Sequence, residues 1–277
     1  MMRYKLIIAD YGETLVHTGE KISVKNIEAI KKFQKFGGLF SIATGREWPS
    51  IRRKIQTSDL NFLDEMLISS CYGAIILSST TEEIIFDAPL KIDIIKDLIY
   101  FFTNSNIKYS LVSKDKTFIF SGFDVLSYKW KKNEDLLLFN DLNKILEYVE
   151  NHDEKLYKID IYSADKVNLI IENINFKYSS MLKYYVNNQG FMEIVSSHAG
   201  KNTAYIKIKE YYELNDDDII VVGDALNDLE LFRNAKNKVA VSNAINKVLN
   251  KSTHIIDNSN YNGISKLIGL IMDGEKL

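Results

Sequence analysis

Short apolar runs and stretches of helical periodicity alternate through the first third of the chain. Runs at 4–9, 38–43 and 65–69 predict strands, and the apolar positions of 24–36 and 47–57 recur at helical spacing. Ser23 stands where a helix cap is expected, before Val24. Ala74–Leu77 and Glu83–Phe86 flank the polar stretch Ser78–Thr81 and predict a hairpin. Pro89, one of two prolines, marks a boundary after Asp87-Ala88. The middle has a different grain. Leu90–Phe102, Leu142–Glu150 and Val167–Ile174 predict helices. Ile107–Val112, Thr117–Phe120, Leu156–Tyr162, Leu182–Val186 and Phe191–Val195 predict strands, with a turn over 187–190. The last third returns to alternation: helix 201–213, strand 218–222, helix 227–234, strand 237–241 and two terminal helices. Alternation of this kind argues for a parallel, Rossmann-like sheet with helices on both faces. The expected layout is α/β, a core built from 1–87 and 189–277 and interrupted by an α+β unit over 88–188.

The strands of the core end in chemistry. Ile219-Ile220-Val221-Val222 reads as a buried strand that stops at Gly223 and is followed by Asp224, Asn227 and Asp228. In open α/β sheets ligands bind at the carboxyl edge. Carboxylates there, without a cation inside the motif, suit a hard ion such as Mg²⁺. The same residues also read as a polar turn in which Asn227 or Asp228 caps the next helix. The strand Tyr4–Ala9 ends at Asp10, a carboxylate placed to serve as metal ligand and nucleophile. The strand Leu39–Ala43 ends at Thr44-Gly45-Arg46, whose hydroxyl, amide and guanidinium suit a phosphoryl group. Lys201 opens a helix after the loop Ser196–Gly200.

In this order, these motifs resemble those of the haloacid dehalogenase-like hydrolases, and more narrowly the Cof-type branch, with its large inserted cap. Asp10-Tyr11-Gly12-Glu13-Thr14 stands for Asp-x-Asp-x-Thr; Ala43-Thr44-Gly45-Arg46, Lys201 and Gly223–Asp228 stand for the other three motifs. Val239–Ala244 is similar to that branch's Val-Ala-Met-Gly-Asn-Ala. The resemblance implies a phosphohydrolase acting on a small phosphorylated metabolite, often a sugar phosphate, through an aspartyl-phosphate on Asp10. It implies Mg²⁺ held by Asp10, the Gly12 carbonyl and Asp224, with Asp228 in support. It implies that Lys201, Thr44, Gly45, Arg46 and Asn227 bind the phosphoryl group, and that the cap closes over the site.

The loop after Asp10 departs from the pattern at two positions. The family's general acid lies two residues after the nucleophile, and here that residue is Gly12, followed by Glu13 where the family has Gly. Either Glu13 reaches in as the catalytic acid, or the leaving groups need little protonation. On an extended backbone neighbours point to opposite sides, which weighs against Glu13. A protein that binds metal and phosphate in a regulatory role, without turnover, is the rival from another class; a phosphonatase-like or phosphotransfer enzyme that needs no acid there is a third. Tyr72 occupies the place of the branch's Asn in Asn-Gly-Ala.

Composition bounds the rest. The 277 residues are 46% hydrophobic and carry 35 basic against 37 acidic side chains, a net charge of −2. Nothing in that balance favours nucleic acid or an anionic membrane. A single cysteine, Cys71, rules out an intramolecular disulfide and fits a reducing compartment. No secretory or membrane-length apolar run is present, so a cytoplasmic protein is expected. The cap aromatics Tyr109, Phe118, Phe120, Tyr128 and Trp130 read as core or as a pocket lining.

Overall fold

A computed structural model of the chain describes residues 3–17, 20–57, 65–120, 135–187, 190–258, 260 and 262–277. Tyr128, Trp130 and residues 188–189 of the expected turn lie outside them. The chain divides into two compact units, one of residues 1–46, 50–87 and 200–277, the other of 47–49 and 88–199.

The first unit begins with β1 (Leu6–Ala9), α1 (Val24–Lys35), β2 (Leu39–Ala43), α2 (Trp48–Gln56, whose first residues group with the second unit), β3 (Leu67–Ser70), β4 (Ile75–Ser78) and β5 (Ile84–Asp87). The second holds α3 (Ile92–Asn104), β6 (Tyr109–Ser113), β7 (Thr117–Phe120), β8 (Leu136–Phe139), α4 (Leu142–Asn151), β9 (Leu156–Ile161), α5 (Val167–Lys177), β10 (Leu182–Val186) and β11 (Met192–Ser196). The first unit then resumes with α6 (Lys201–Tyr211), β12 (Ile219–Gly223), α7 (Asp228–Phe232), β13 (Asn237–Val241), α8 (Asn246–Leu249), β14 (His254–Ile256) and α9 (Gly263–Met272).

Eight strands of the first unit form one sheet in the order β14-β13-β12-β1-β2-β3-β4-β5. From β14 to β3 neighbours run parallel, and the β3-β4-β5 end is antiparallel. Residues 6–9 and 219–222 are fully buried. A strand covered on both faces needs an unbroken apolar run, and this explains why these two lack alternation. From β1 the chain steps to β2 and β3 on one side; from β12 it steps to β13 and β14 on the other. The reversal falls between β1 and β12, so their carboxyl ends flank the crevice where such sheets bind ligands. Asp10 and Asp224 follow those two ends.

Ser23 caps α1, its hydroxyl accepting from the Asn26 amide at 3.2 Å. Asn26 is buried, yet satisfied: its side chain donates to the Leu15 carbonyl at 3.2 Å and accepts from the Ser265 amide at 3.0 Å. A buried amide needs such partners, and this one ties the loop after β1 to α9.

The second unit carries a six-stranded sheet in the order β10-β11-β9-β6-β7-β8. Its apolar core joins α3, α4 and α5 to that sheet and includes Tyr109 and Phe118, with Phe120 packed against it. These three cap aromatics are therefore core. The unit runs to Ala199 and not to 188, because β11 pairs antiparallel with both β10 and β9. Among the described residues no helix is long and apolar enough to cross a membrane.

Candidate active site

Asp10 leaves the end of β1 with its amide bonded to the Val222 carbonyl of β12 at 2.9 Å. Its carboxylate is almost fully buried and accepts from the Lys201 ammonium. Lys201 has no exposed surface and also donates to Asp228 Oδ1 at 2.5 Å. Asp228 Oδ2 in turn accepts the amides of Asp224 and Ala225, both at 2.9 Å. Asp228 thus orients the lysine with one oxygen and shapes the turn after β12 with the other. A Cβ on Gly223 would lie 2.5 Å from that of Asp228, so only glycine lets the strand end abut this side chain. Asp224 Oδ1 accepts from the buried Thr14 hydroxyl at 2.8 Å. Asn227 makes no cap bond, and its buried Oδ1 accepts no hydrogen bond in the structure. The turn is therefore held by Asp228 through its contacts with 224 and 225, and the capping alternative fails for Asn227.

The electrostatics follow from crowding. Ligand oxygens of Asp10, Asp224 and Asp228 lie within 4.8 Å of one another. Burial pushes the Asp10 carboxyl up to about 6, Lys201 pulling against it and Asp228 adding to it. Burial pushes Asp224 up to about 8, with Asp10 and Asp228 adding to the rise. Burial also pulls the Lys201 ammonium down, but Asp10 and Asp228 outweigh it and hold the group above the usual lysine value. One ammonium among three carboxylates leaves negative charge in surplus. An all-oxygen donor set with that surplus fits a small hard divalent cation.

A further motif follows β2, the strand paired with β1. Thr44 is buried at the end of β2, its amide bonded to the Ser69 carbonyl at 2.9 Å and its hydroxyl accepting the Arg46 amide at 3.2 Å. The Arg46 guanidinium lies 5.7 Å from the ring centroid of Tyr11, the residue after Asp10. The structure therefore joins Asp10, Thr14, Lys201, Asp224 and Asp228 in one hydrogen-bonded network and sets Arg46 against its first loop.

Gly12 and Glu13 differ from the extended geometry expected of them. Residues 11–15 form a turn, with Gly12 bridging Val16 and Glu13 left-handed at φ 57°. On such a backbone neighbouring side chains do not alternate in direction. Glu13 Oε2 lies 2.8 Å from His17 Nδ1, and its carbonyl accepts from Asn243 Nδ2 at 3.2 Å. Gly12 is not left-handed, and a Cβ there would meet no atom within 4 Å. The left-handed position of the loop is the one that carries a side chain. Glu13→Gly is thus expected to stabilise the protein by about 1 kcal/mol, since an L-residue costs roughly 1–2 kcal/mol there. The half-exposed pair with His17 returns only a fraction of that. Denaturant unfolding checks it; an unchanged or lower midpoint would show that the turn is unstrained.

Two contacts had no signal in the sequence. The Lys201 amide donates to Glu230 Oε2 at 3.1 Å, fixing the first turn of α6 against α7. Asn26 supports the loop after Asp10, as described above. Both are polar residues on helices whose patterns show only that one face is apolar.

The sequence profile of the haloacid dehalogenase-like hydrolases matches residues 7–268. The 5-amino-6-(5-phospho-D-ribitylamino)uracil phosphatase YwtE of Bacillus subtilis is 25% identical over 290 aligned positions, covering 98% of this chain and 99% of its own. Phosphoglycolate phosphatase 2 of Saccharolobus solfataricus is 30% identical over 157 positions, 52% of this chain and 66% of its own. Among solved structures, a haloacid dehalogenase-like hydrolase from Bacteroides thetaiotaomicron superposes with a TM-score of 0.81 at 19% identity, covering 97% of this chain and 99% of that one. TM0651 from Thermotoga maritima gives 0.82 at 22%, covering 96% and 97%. At these identities the two structures show the fold.

Proposed function

From the premise that the chain belongs to the haloacid dehalogenase-like hydrolases, of Cof type, we propose that it is a Mg²⁺-dependent phosphohydrolase for a small phosphorylated metabolite. The observation that carries this reading is the trio of carboxylates within 4.8 Å, with a fully buried lysine bridging two of them. A lysine held between a nucleophile and its neighbour stays charged without being free to react. Its fixed charge then lies beside the place where a phosphoryl group would gain negative charge. Positioning and preorganised charge carry most of the catalysis in this class of reaction.

In the proposed reaction an Asp10 oxygen attacks phosphorus, the ester P–O bond breaks and the leaving oxygen departs with the bonding pair. Water then attacks the aspartyl-phosphate and frees Asp10. Lys201, the Thr44 hydroxyl, the Gly45 amide, Arg46 and Asn227 would hold the phosphoryl oxygens. Asp10, Asp224 and the Gly12 carbonyl, with Asp228 beside them, would hold Mg²⁺, which supplies further neutralisation of phosphoryl charge when bound. Thr14 keeps one Asp224 oxygen oriented through its hydrogen bond.

The leaving oxygen of an alkyl ester needs a proton. Gly12 offers none. Glu13 has a carboxyl in the same turn, engaged with His17. Activated leaving groups, such as acyl or aryl oxygens, need little protonation, so turnover is expected to be faster on these than on alkyl phosphates.

The test is a phosphate-release screen with Mg²⁺ across sugar phosphates, nucleotides, acyl phosphates, an aryl phosphate and the ribitylaminouracil phosphate named in the Bacillus subtilis relative. Mg²⁺-dependent release that a chelator abolishes is the expected result. Mg²⁺ should also raise the thermal midpoint, because an ion that binds only the native cluster stabilises it by mass action. Binding of Mg²⁺ and phosphate with no release from any ester would favour the regulatory reading that Gly12 motivates.

A further inference from the structure

Directly after β3 the chain makes three successive left-handed residues: Cys71 at φ 48°, Tyr72 at φ 56° and Gly73 at φ 81°. Only the third is a glycine, so two side-chain-bearing residues are held where L-residues are disfavoured. Such conformations persist where the surroundings over-determine them, and here they do. The Cys71 amide donates to the Arg46 carbonyl at 3.0 Å, and the Tyr72 amide donates to the Thr44 carbonyl at 2.9 Å. The Tyr72 carbonyl accepts the amide of Gly200 at 2.6 Å, one residue before Lys201. The Ser70 hydroxyl adds a second bond to the Arg46 carbonyl at 2.5 Å.

Glycine is required on both sides of this turn. A Cβ on Gly73 would lie 2.4 Å from the Gly200 carbonyl oxygen, and a Cβ on Gly45 would lie 2.3 Å from Cζ of the Tyr72 ring. The buried ring therefore packs directly on the Gly45 backbone. Through backbone bonds and ring, one residue touches the loop 44–46 and the entry to α6, which present Thr44 and Lys201.

We propose that Tyr72 is a positioning residue that sets the phosphate-binding loop 44–46 against the start of α6, its ring acting as a rigid stop behind Gly45. It deepens, and rests on, the phosphate role assigned above to Thr44, Gly45 and Lys201. Tyr72 touches no reacting atom in this scheme. It acts by limiting where the Thr44 hydroxyl and Gly45 amide can sit, and misplacement by ångströms at such a site costs about 10²-fold.

The experiment separates ring from backbone. Tyr72→Phe keeps both. Tyr72→Asn keeps a residue that tolerates the left-handed region but removes the ring. Binding of inorganic phosphate in the presence of Mg²⁺ is measured by calorimetry, kcat and KM on an aryl phosphate are measured alongside, and the thermal midpoint reports folding. The Phe variant, which keeps ring and backbone, should bind phosphate more tightly than the Asn variant. The Asn variant should lose about 10-fold or more in phosphate affinity and in kcat/KM, read well below its thermal midpoint, which loss of the buried ring lowers.

Gly45→Ala supplies the second arm. It should cost much more phosphate affinity beside the tyrosine ring than in the Tyr72→Asn background, the non-additivity expected of residues in contact. Wild-type affinity in the Asn variant, or equal damage by Gly45→Ala in both backgrounds, overturns the role of Tyr72. If wild type binds no phosphate at all, the phosphate-site reading fails and takes this proposal with it. Failure of Tyr72 alone leaves wild-type binding intact, so the two failures are distinct.

Discussion

Asp10→Asn is expected to lower turnover by on the order of 10⁴-fold or more on every phosphate ester, as removal of a covalent nucleophile does elsewhere. The change is isosteric and leaves β1 undisturbed, so the loss should not come from unfolding. The asparagine should if anything raise the thermal midpoint measured without Mg²⁺. Burial and the neighbouring Asp228 push the Asp10 carboxyl up to about 6, which marks its ionised form as disfavoured in the folded protein. Neutralising it removes one of three crowded carboxylates while Asp228 still holds Lys201. Loss of activity together with unchanged or improved stability is the pattern of a residue kept for chemistry. Phosphate release in the steady state and in a single turnover, with a melting curve on the same protein, reads both. A variant that keeps its rate within tenfold would mean that Asp10 is not the nucleophile.

How much of this was legible in the chain differs from element to element. The central strands were, because burial on both faces demands unbroken apolar runs at 6–9 and 219–222 and nothing else in a folded chain imposes that pattern so plainly. The carboxylates after them were legible for the same reason: a charge at the end of a buried run stands out. β14 was not, since its three residues His254–Ile256 are too few to show a period. β8 was not either; Leu136–Phe139 is uniformly apolar and only half buried at the edge of its sheet beside β7. The left-handed turn at Cys71–Gly73 carries no local signal beyond Gly73. Its conformation is set by bonds to Thr44, Arg46 and Gly200, which are distant in sequence. The same holds for Lys201. Its bridging of Asp10 and Asp228 depends on α6 meeting β1 and α7, which no spacing reveals. Local chemistry was readable, and the contacts that aim it were not.

The exchange Gly12→Asp with Glu13→Gly has the largest expected gain. Position 12 is open, with no atom within 4 Å of a Cβ and a backbone that is not left-handed, so a side chain can start there without strain. Position 13 is the left-handed one, where glycine is at ease. The swapped turn should therefore be at least as stable as the original while placing a carboxyl where the family carries its acid. Hydrolysis of alkyl phosphates should rise by up to about 10²-fold, the lower range of what a general acid contributes. Aryl and acyl phosphates should change little, because their leaving oxygens depart unprotonated. Glu13→Gln in the original background is the control. It keeps the size of the side chain and the strained backbone, removes the negative charge beside His17, and leaves Gly12 in place. If that change alone abolishes alkyl phosphate turnover and spares aryl phosphates, Glu13 is already the acid and the swap should bring no gain. If wild type and the swapped protein are equal on alkyl phosphates and the Gln variant matches them, the proton comes from a third group. His17, the partner of Glu13 in the same turn, is then the first to replace, with asparagine in its place.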